Sequence, residues 1–136
     1  MSLTIHRNGD RPTRSAPEKW FTGQVWMTPI IETPAPAALR TLSVTFTPGA
    51  RTAWHTHPLG QTLYVTAGQG LVALEGEAPQ VIRPGDTVYI APGIRHWHGA
   101  GPDTSMTHIA MQEERDGEST DWEEHVSDAD YGRQPA

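Results

Sequence analysis

There is no cysteine among the 136 residues. Disulfides, thiolate metal ligands and cysteine nucleophiles are therefore excluded. Basic side chains are few: ten Lys and Arg stand against sixteen Asp and Glu, a formal charge of −6. Nucleic acid is not an expected partner, because phosphate binding needs a basic surface. No apolar run approaches the ~20 residues that a transmembrane helix needs, so no membrane association is expected. Met1–Arg14 is polar with no apolar centre. No secretory signal is expected from it, and the expected location is cytoplasmic. No Gly-x-Gly-x-x-Gly follows a strand, so a flavin is not expected either.

What the chain does have is turn punctuation. Thirteen glycines and twelve prolines are scattered without period, which suits the turns of an all-β protein. Residues 1–19 read as an irregular lead-in, and Trp20–Ile31 as a strand or two. Pro34 and Pro36 make Glu32–Ala38 a loop or an edge. From Leu39 the pattern sharpens. Leu42, Val44 and Phe46 alternate with Thr41, Ser43, Thr45 and Thr47, the period-2 signature of a half-buried strand. Further short strands are predicted at Thr52–His57, Gln61–Ala67, Leu71–Glu75, Val81–Arg83, Thr87–Ile90, Arg95–Gly99 and Thr104–Gln112, each closed by Gly or Pro. No segment among them has helical period. The fold class is all-β, a sandwich or barrel. One short helix is predicted near Ser127–Tyr131, with Ser127 as its cap.

Charge is uneven. Glu113–Ala136 holds nine acids against Arg115 and Arg133, a solvated acidic tail. Three regions are expected: 1–38, an extension with edge strands; 39–112, the barrel core; 113–136, a tail docked on the barrel or on a partner subunit.

Histidines supply the chemistry. His55 and His57 are two apart on a predicted strand and point to one face. Gln61 opens the next strand and can face the same space, and His96 lies on a later one. Neutral imidazoles on a stiff sheet are good ligands for divalent transition metals. Three imidazoles and an amide oxygen would leave two positions of an octahedral site open. Period also turns His98 inward beside His96, and puts Met106, His108, Ala110 and Gln112 on one face. Leu42, Val44 and Phe46 share an apolar inward face, and Leu63 and Val65 follow Gln61. An apolar wall with a few polar groups is the usual make-up of a small-molecule site.

The pattern Gly49-x5-His55-x-His57-x3-Gln61-x6-Gly68, followed by Gly85-x10-His96 with Pro92-Gly93 between, resembles the two signature motifs of the cupin family. Gln61 stands where the motif usually has glutamate, and Ala100 where the second motif usually ends in asparagine. The resemblance implies a single cupin barrel, the double-stranded β-helix or jelly roll. The stretches Thr45–Leu63, His96-Trp97-His98-Gly99-Ala100, Met106-Thr107-His108 and Trp122-x-x-His125-Val126 narrow it. They are similar to the small bacterial cupins with manganese-dependent hydroxynitrile lyase activity, which make or cleave (R)-mandelonitrile. That likeness implies His55, His57, Gln61 and His96 as ligands of one divalent metal per subunit. Manganese is the implied ion, with Fe, Ni, Co or Zn as alternatives that the ligand chemistry equally admits. It implies a pocket lined by Leu42, Val44, Phe46, Thr52, Leu63, His98, His108 and Gln112, with His98 and His108 as candidates for proton transfer.

The same metal site could serve a dioxygenase, an isomerase or a retro-aldol enzyme, or a cupin that binds metal or a small ligand without turnover. Two spare inward imidazoles favour chemistry. Trp54 and Trp97 alternate with the inward histidines and should point outward. Together with the acidic tail, they lead to the expectation of a homodimer or homotetramer.

Overall fold

The computed structural model describes residues 2–136. In chain order the elements are β1 (Arg14–Ser15), β2 (Phe21–Thr22), β3 (Val25–Glu32), β4 (Leu39–Phe46), β5 (Arg51–Thr52), β6 (His55–Thr56), β7 (Gln61–Gly68), β8 (Gly70–Leu74), β9 (Gln80–Ile82), β10 (Thr87–Ile90), β11 (His96–Ala100), β12 (Met106–Glu113), β13 (Asp121–Trp122) and the helical turn α1 (Asp128–Tyr131). Ser127 caps α1, its hydroxyl accepting from Asp130 N at 3.1 Å. Among the described residues no helix is long and apolar enough to cross a membrane.

The strands form two antiparallel sheets. The first runs β1-β3-β4-β12-β7-β10; the second runs β13-β6-β11-β5-β2, with β8 bridging β11 and β9. The inward faces obey the sequence period. Gln61, Leu63 and Val65 are buried on β7, and Met106, His108, Ala110 and Gln112 on β12. Between the sheets, Phe21, Val25, Val44, Phe46, Val65, Ile82 and Met106 form the main core.

The predicted strand Thr52–His57 is broken in two. Arg51 pairs with Gly99, but His55 pairs with His96. Four steps along β5–β6 thus match three along β11, which inserts one extra residue, a β-bulge. The bulge brings Thr52 to the same inward side as His55, although strict alternation would have put it outside.

The acidic tail lies on its own barrel. β13 pairs with β6. The Arg51 guanidinium donates to Val126 O and Asp128 Oδ1, both at 2.8 Å, and lies 4.5 Å from the centre of the Tyr131 ring. Trp54 and Trp97 do point away from the histidines, but they are not free. With Leu71 and Ala73 they pack under Val126 and Tyr131 of the tail. They therefore give no reason for a subunit contact, because the same chain supplies their burial.

Arg95 fastens this tail. It reaches Glu75 at 2.8 Å, Glu123 at 2.6 Å and Glu124 at 2.7 Å, and its guanidinium lies 4.4 Å from the Trp54 ring centre. The carboxylates are partly exposed, so water and salt screen the pairs. Arg95→Ala is expected to lower stability by about 1–2 kcal/mol, with a smaller loss at high salt. Urea unfolding at two ionic strengths measures this; a salt-independent loss would assign the effect to packing alone.

Candidate metal centre and its cavity

The second sheet delivers His55 from β6 and His96 from β11 as directly opposed residues. His57 follows on the loop after β6, and Gln61 opens β7 of the first sheet. The rings are close: His55 to His96 is 4.1 Å between centres, His55 to His57 5.0 Å, and His57 to His96 5.5 Å. His55, His57, Gln61 and His96 are all buried. His98 joins them at 5.2 Å from His55. One ring nitrogen from each of His55, His96 and His98 lies within 4.8 Å of the others, so this buried cluster can hold a metal ion.

Tautomers separate the members of the cluster. His55 Nδ1 donates to Ala53 O at 2.8 Å, His57 Nδ1 to Ser119 O at 2.7 Å, and His96 Nδ1 to Ile94 O at 2.9 Å. Each ring spends its one proton on a backbone carbonyl, which leaves a lone pair on Nε2. His57 Nε2 is buried and has no partner. His98 is different: its Nδ1 faces His108 Nε2 at 2.9 Å, and no backbone carbonyl holds it.

Gln61 adds a conflict that a cation resolves. Its Nε2 donates to Gln112 Oε1 at 3.1 Å, and its Oε1 lies 3.2 Å from His96 Nε2. With His96 Nδ1–H committed to Ile94, both facing atoms are acceptors, and two facing lone pairs repel. A positive ion between them turns the repulsion into coordination. The residues present therefore fit a metal.

Burial keeps the rings neutral. His55 is pushed well below the usual histidine value by desolvation, then by the charges of His96 and His57. Desolvation likewise lowers His57, against the hydrogen bond to Ser119. His96 and His108 are each lowered to about 4, chiefly by burial. His98 falls well below 6.5 through burial and then the charge of His108. Neutral imidazole is the form that binds metal and accepts protons.

Beside the cluster lies a cavity of about 300 Å³. Leu42, Val44, Thr52, His98, His108 and Gln112 line it, together with His55, His57 and Gln61. Phe46 and Leu63, expected on its wall, do not reach it. Both are completely buried behind it: Phe46 packs against the His98 and His108 rings, and Leu63 against Ile90 and Ala110. They face inward as their period requires, but the core has more than one layer, and they lie in the deeper one.

Period missed a second group of lining residues: Trp20, Phe21, Met27, Ser119, Thr120 and Trp122. Trp122 stacks on Trp20 at 5.3 Å and packs tilted against His55 at 4.7 Å. The tail thus supplies both a cavity wall and, through Ser119, the carbonyl that orients His57. β2 and β13 are only two residues long, too short for any alternation to be read.

The comparisons agree with this architecture. A family model described as "Cupin domain" matches residues 42–110. The chain is 54% identical over 131 residues to an (R)-mandelonitrile lyase from Granulicella tundricola, covering 96% of this chain and all of that one. It resembles the crystal structure of a cupin-like protein from Thermotoga maritima at TM-score 0.81 and 33% identity, over 95% of each chain. A polyketide cyclase from Streptomyces resistomycificus shares the fold at TM-score 0.73 and 19% identity, over 96% of this chain and 91% of that one. With its two curled sheets, its buried histidine cluster and these likenesses, the chain belongs to the cupin family.

Proposed function

We propose that this cupin is a metal-dependent carbon–carbon lyase. It cleaves a cyanohydrin such as (R)-mandelonitrile reversibly to an aldehyde and cyanide, in the cytoplasm. The observation that carries the proposal is the His98–His108 pair: two neutral imidazoles 2.9 Å apart beside the histidine cluster, in a cavity with an apolar wall. The 54% identity to a mandelonitrile lyase supports the reaction class.

His55, His57, Gln61 and His96 are the metal ligands, on the strength of their fixed tautomers and the Gln61–His96 conflict. Three neutral rings and an amide leave the ion's charge uncompensated. A bound divalent ion, manganese in this reading, supplies Lewis acidity toward the substrate oxygen. The chain's own groups do the rest. Leu42 and Val44, with the Trp20–Trp122 stack, hold the organic part of the substrate and exclude water. His98 Nε2, buried and without a partner, takes the hydroxyl proton. As the O–H electrons move to form the carbonyl, the bond to the nitrile carbon breaks, and cyanide leaves and regains a proton as HCN. His108 stands behind His98 and shares the proton path.

Aldehyde release from mandelonitrile by the manganese-loaded protein tests this. Release well above buffer is expected. If manganese fills the site and no release occurs, the lyase reading falls, and a cupin of another activity, or one that only binds metal, replaces it.

Assembly belongs to the same proposal, on a different face from Trp54 and Trp97. The outward positions of the first sheet include Trp26 and Tyr64, each 42% exposed, and Tyr89 at 67%. Between them lie Thr28, Ser43, Thr45, Ile109, Met111 and Thr62, with no charged side chain. Four eight-residue strands about 4.8 Å apart and roughly 27 Å long, with the half-length β10 beside them, present about 580 Å². Doubled across a two-fold axis, that is roughly 1,200 Å², at the lower end of the range of stable dimers. A second copy of the chain is the occupant that this face fits, because the exposed Glu113 lies only at the end of β12. Sedimentation should give at least twice 14.9 kDa, and Tyr64→Arg should return the single-chain mass. A parent protein sedimenting at 14.9 kDa at micromolar concentration overturns it.

A further inference from the structure

We propose that Gln112 is a positioning residue for the metal centre: it turns the Gln61 amide so that the oxygen, and not the NH2 group, faces the histidines. The inference rests on the metal reading above, but not on the identity of the substrate.

The need for such a residue follows from Gln61 itself. A carboxylate at this place would offer an oxygen whichever way it rotated. An amide has one acceptor end and one donor end, similar in size. The neighbours of Gln61 bias it the wrong way. His55, His57 and His96 each give their proton to a backbone carbonyl and present Nε2 lone pairs inward. Lone pairs attract N–H. Left alone, the Gln61 amide would turn its NH2 toward them, and an N–H aimed into the cluster repels a cation.

Gln112 opposes that turn. It is the direct cross-strand partner of Gln61, on β12 against β7, and both side chains are buried. Its Oε1 accepts from Gln61 Nε2 at 3.1 Å. That bond holds the donor end of Gln61 away from the cluster, and the acceptor end then lies 3.2 Å from His96 Nε2. The backbone register places the two residues directly opposite each other, which keeps their side chains within reach of this hydrogen bond. The contact also gives the cavity-lining Gln112 a task other than touching substrate.

The test uses the metal-stripped full-length protein and Mn²⁺ alone as probe, with affinity read by competition against a chelator. Gln112→Met removes the acceptor at similar length and is expected to weaken Mn²⁺ binding by about 10- to 100-fold. Gln112→Asn, which keeps the amide but withdraws it by one methylene, should do the same, so the inference survives poor folding of either variant. The decisive comparison repeats Gln112→Met in the Gln61→Glu background. A carboxylate needs no orientation there, and the change should alter affinity by no more than about twofold. An equal loss in both backgrounds overturns the inference, because it would mean general damage to the site. So does unchanged Mn²⁺ affinity with a raised KM for mandelonitrile, which would make Gln112 a substrate contact. If the parent protein binds no Mn²⁺, the metal reading fails and takes this inference with it. If it binds Mn²⁺ without cleaving mandelonitrile, only the lyase reading fails, and the affinities still decide the role of Gln112.

Discussion

His57→Ala is expected to strip the protein of metal, with affinity weakened at least ~100-fold, because loss of an outer-shell partner alone costs 10- to 100-fold. His57 is buried, its Nδ1 is pinned by Ser119 O, and its Nε2 has no protein partner. Nothing else in the site can use that lone pair as well as a cation does. The measurement is elemental analysis after dialysis, beside thermal melting with and without added Mn²⁺. Ligand binding to the folded state alone raises the melting temperature by mass action. The parent should show this rise and the variant should lose it, while the two metal-free proteins melt close together. An unchanged metal stoichiometry would remove His57 from the ligand set. It would favour the alternative triplet of His55, His96 and His98, whose ring nitrogens already lie within 4.8 Å of one another.

His98→Ala and His108→Ala should each cut mandelonitrile cleavage by about 10²–10⁴-fold with the metal still bound, the usual range for a lost general base. The double variant should lose little more than either single one, because the rings share one hydrogen bond and one proton path. Full activity in both variants with metal bound would show that neither is the base.

The acid side of the pH profile follows from burial. A base must be neutral, and a free histidine is half protonated near pH 6.5. Burial lowers His108 to about 4 and His98 in the same direction, so the acid limb of the activity profile lies below pH 6.5. Stability falls on the same side. The unfolded chain takes up protons on its buried histidines from about pH 6.5 downward, while in the folded chain His96 and His108 refuse theirs until about pH 4. Stability is therefore level above pH 6.5 and is lost as pH falls from there toward 4. His108 alone contributes about 3 kcal/mol to that loss, and the other buried imidazoles add to it with the same sign. The melting temperature of the metal-free protein should fall steeply between pH 6.5 and 4. A flat profile there would mean that these rings are not buried neutral.

Much of this molecule is determined locally and is legible in its sequence. Alternation alone turns Leu42, Val44, Gln61, His98, His108 and Gln112 inward, because side chains on a strand repeat every two residues. The Gly/Pro spacing separates the strands, and Ser127 caps α1, since a cap is an interaction over three residues. The spacing of His55, His57, Gln61 and His96 points to one shared space, although His57 lies on the loop after β6 and not on a regular strand.

What the tertiary structure decided is whatever depends on distant chain meeting here. Thr52 lines the cavity only because a bulge opposite β11 adds a residue. Phe46 and Leu63 face inward yet stay behind the wall, since period gives direction and not depth. Trp54 and Trp97 face away from the histidines as alternation says, but what covers them is the chain's own tail, more than twenty-five residues further along. Trp122 and the Ser119 carbonyl enter the site through that tail, which carries no periodic signal. The orientation of the Gln61 amide is decided last, by a cross-strand neighbour fifty-one positions away. No local pattern encodes which end of an amide points inward; only the hydrogen bond made in the folded barrel does.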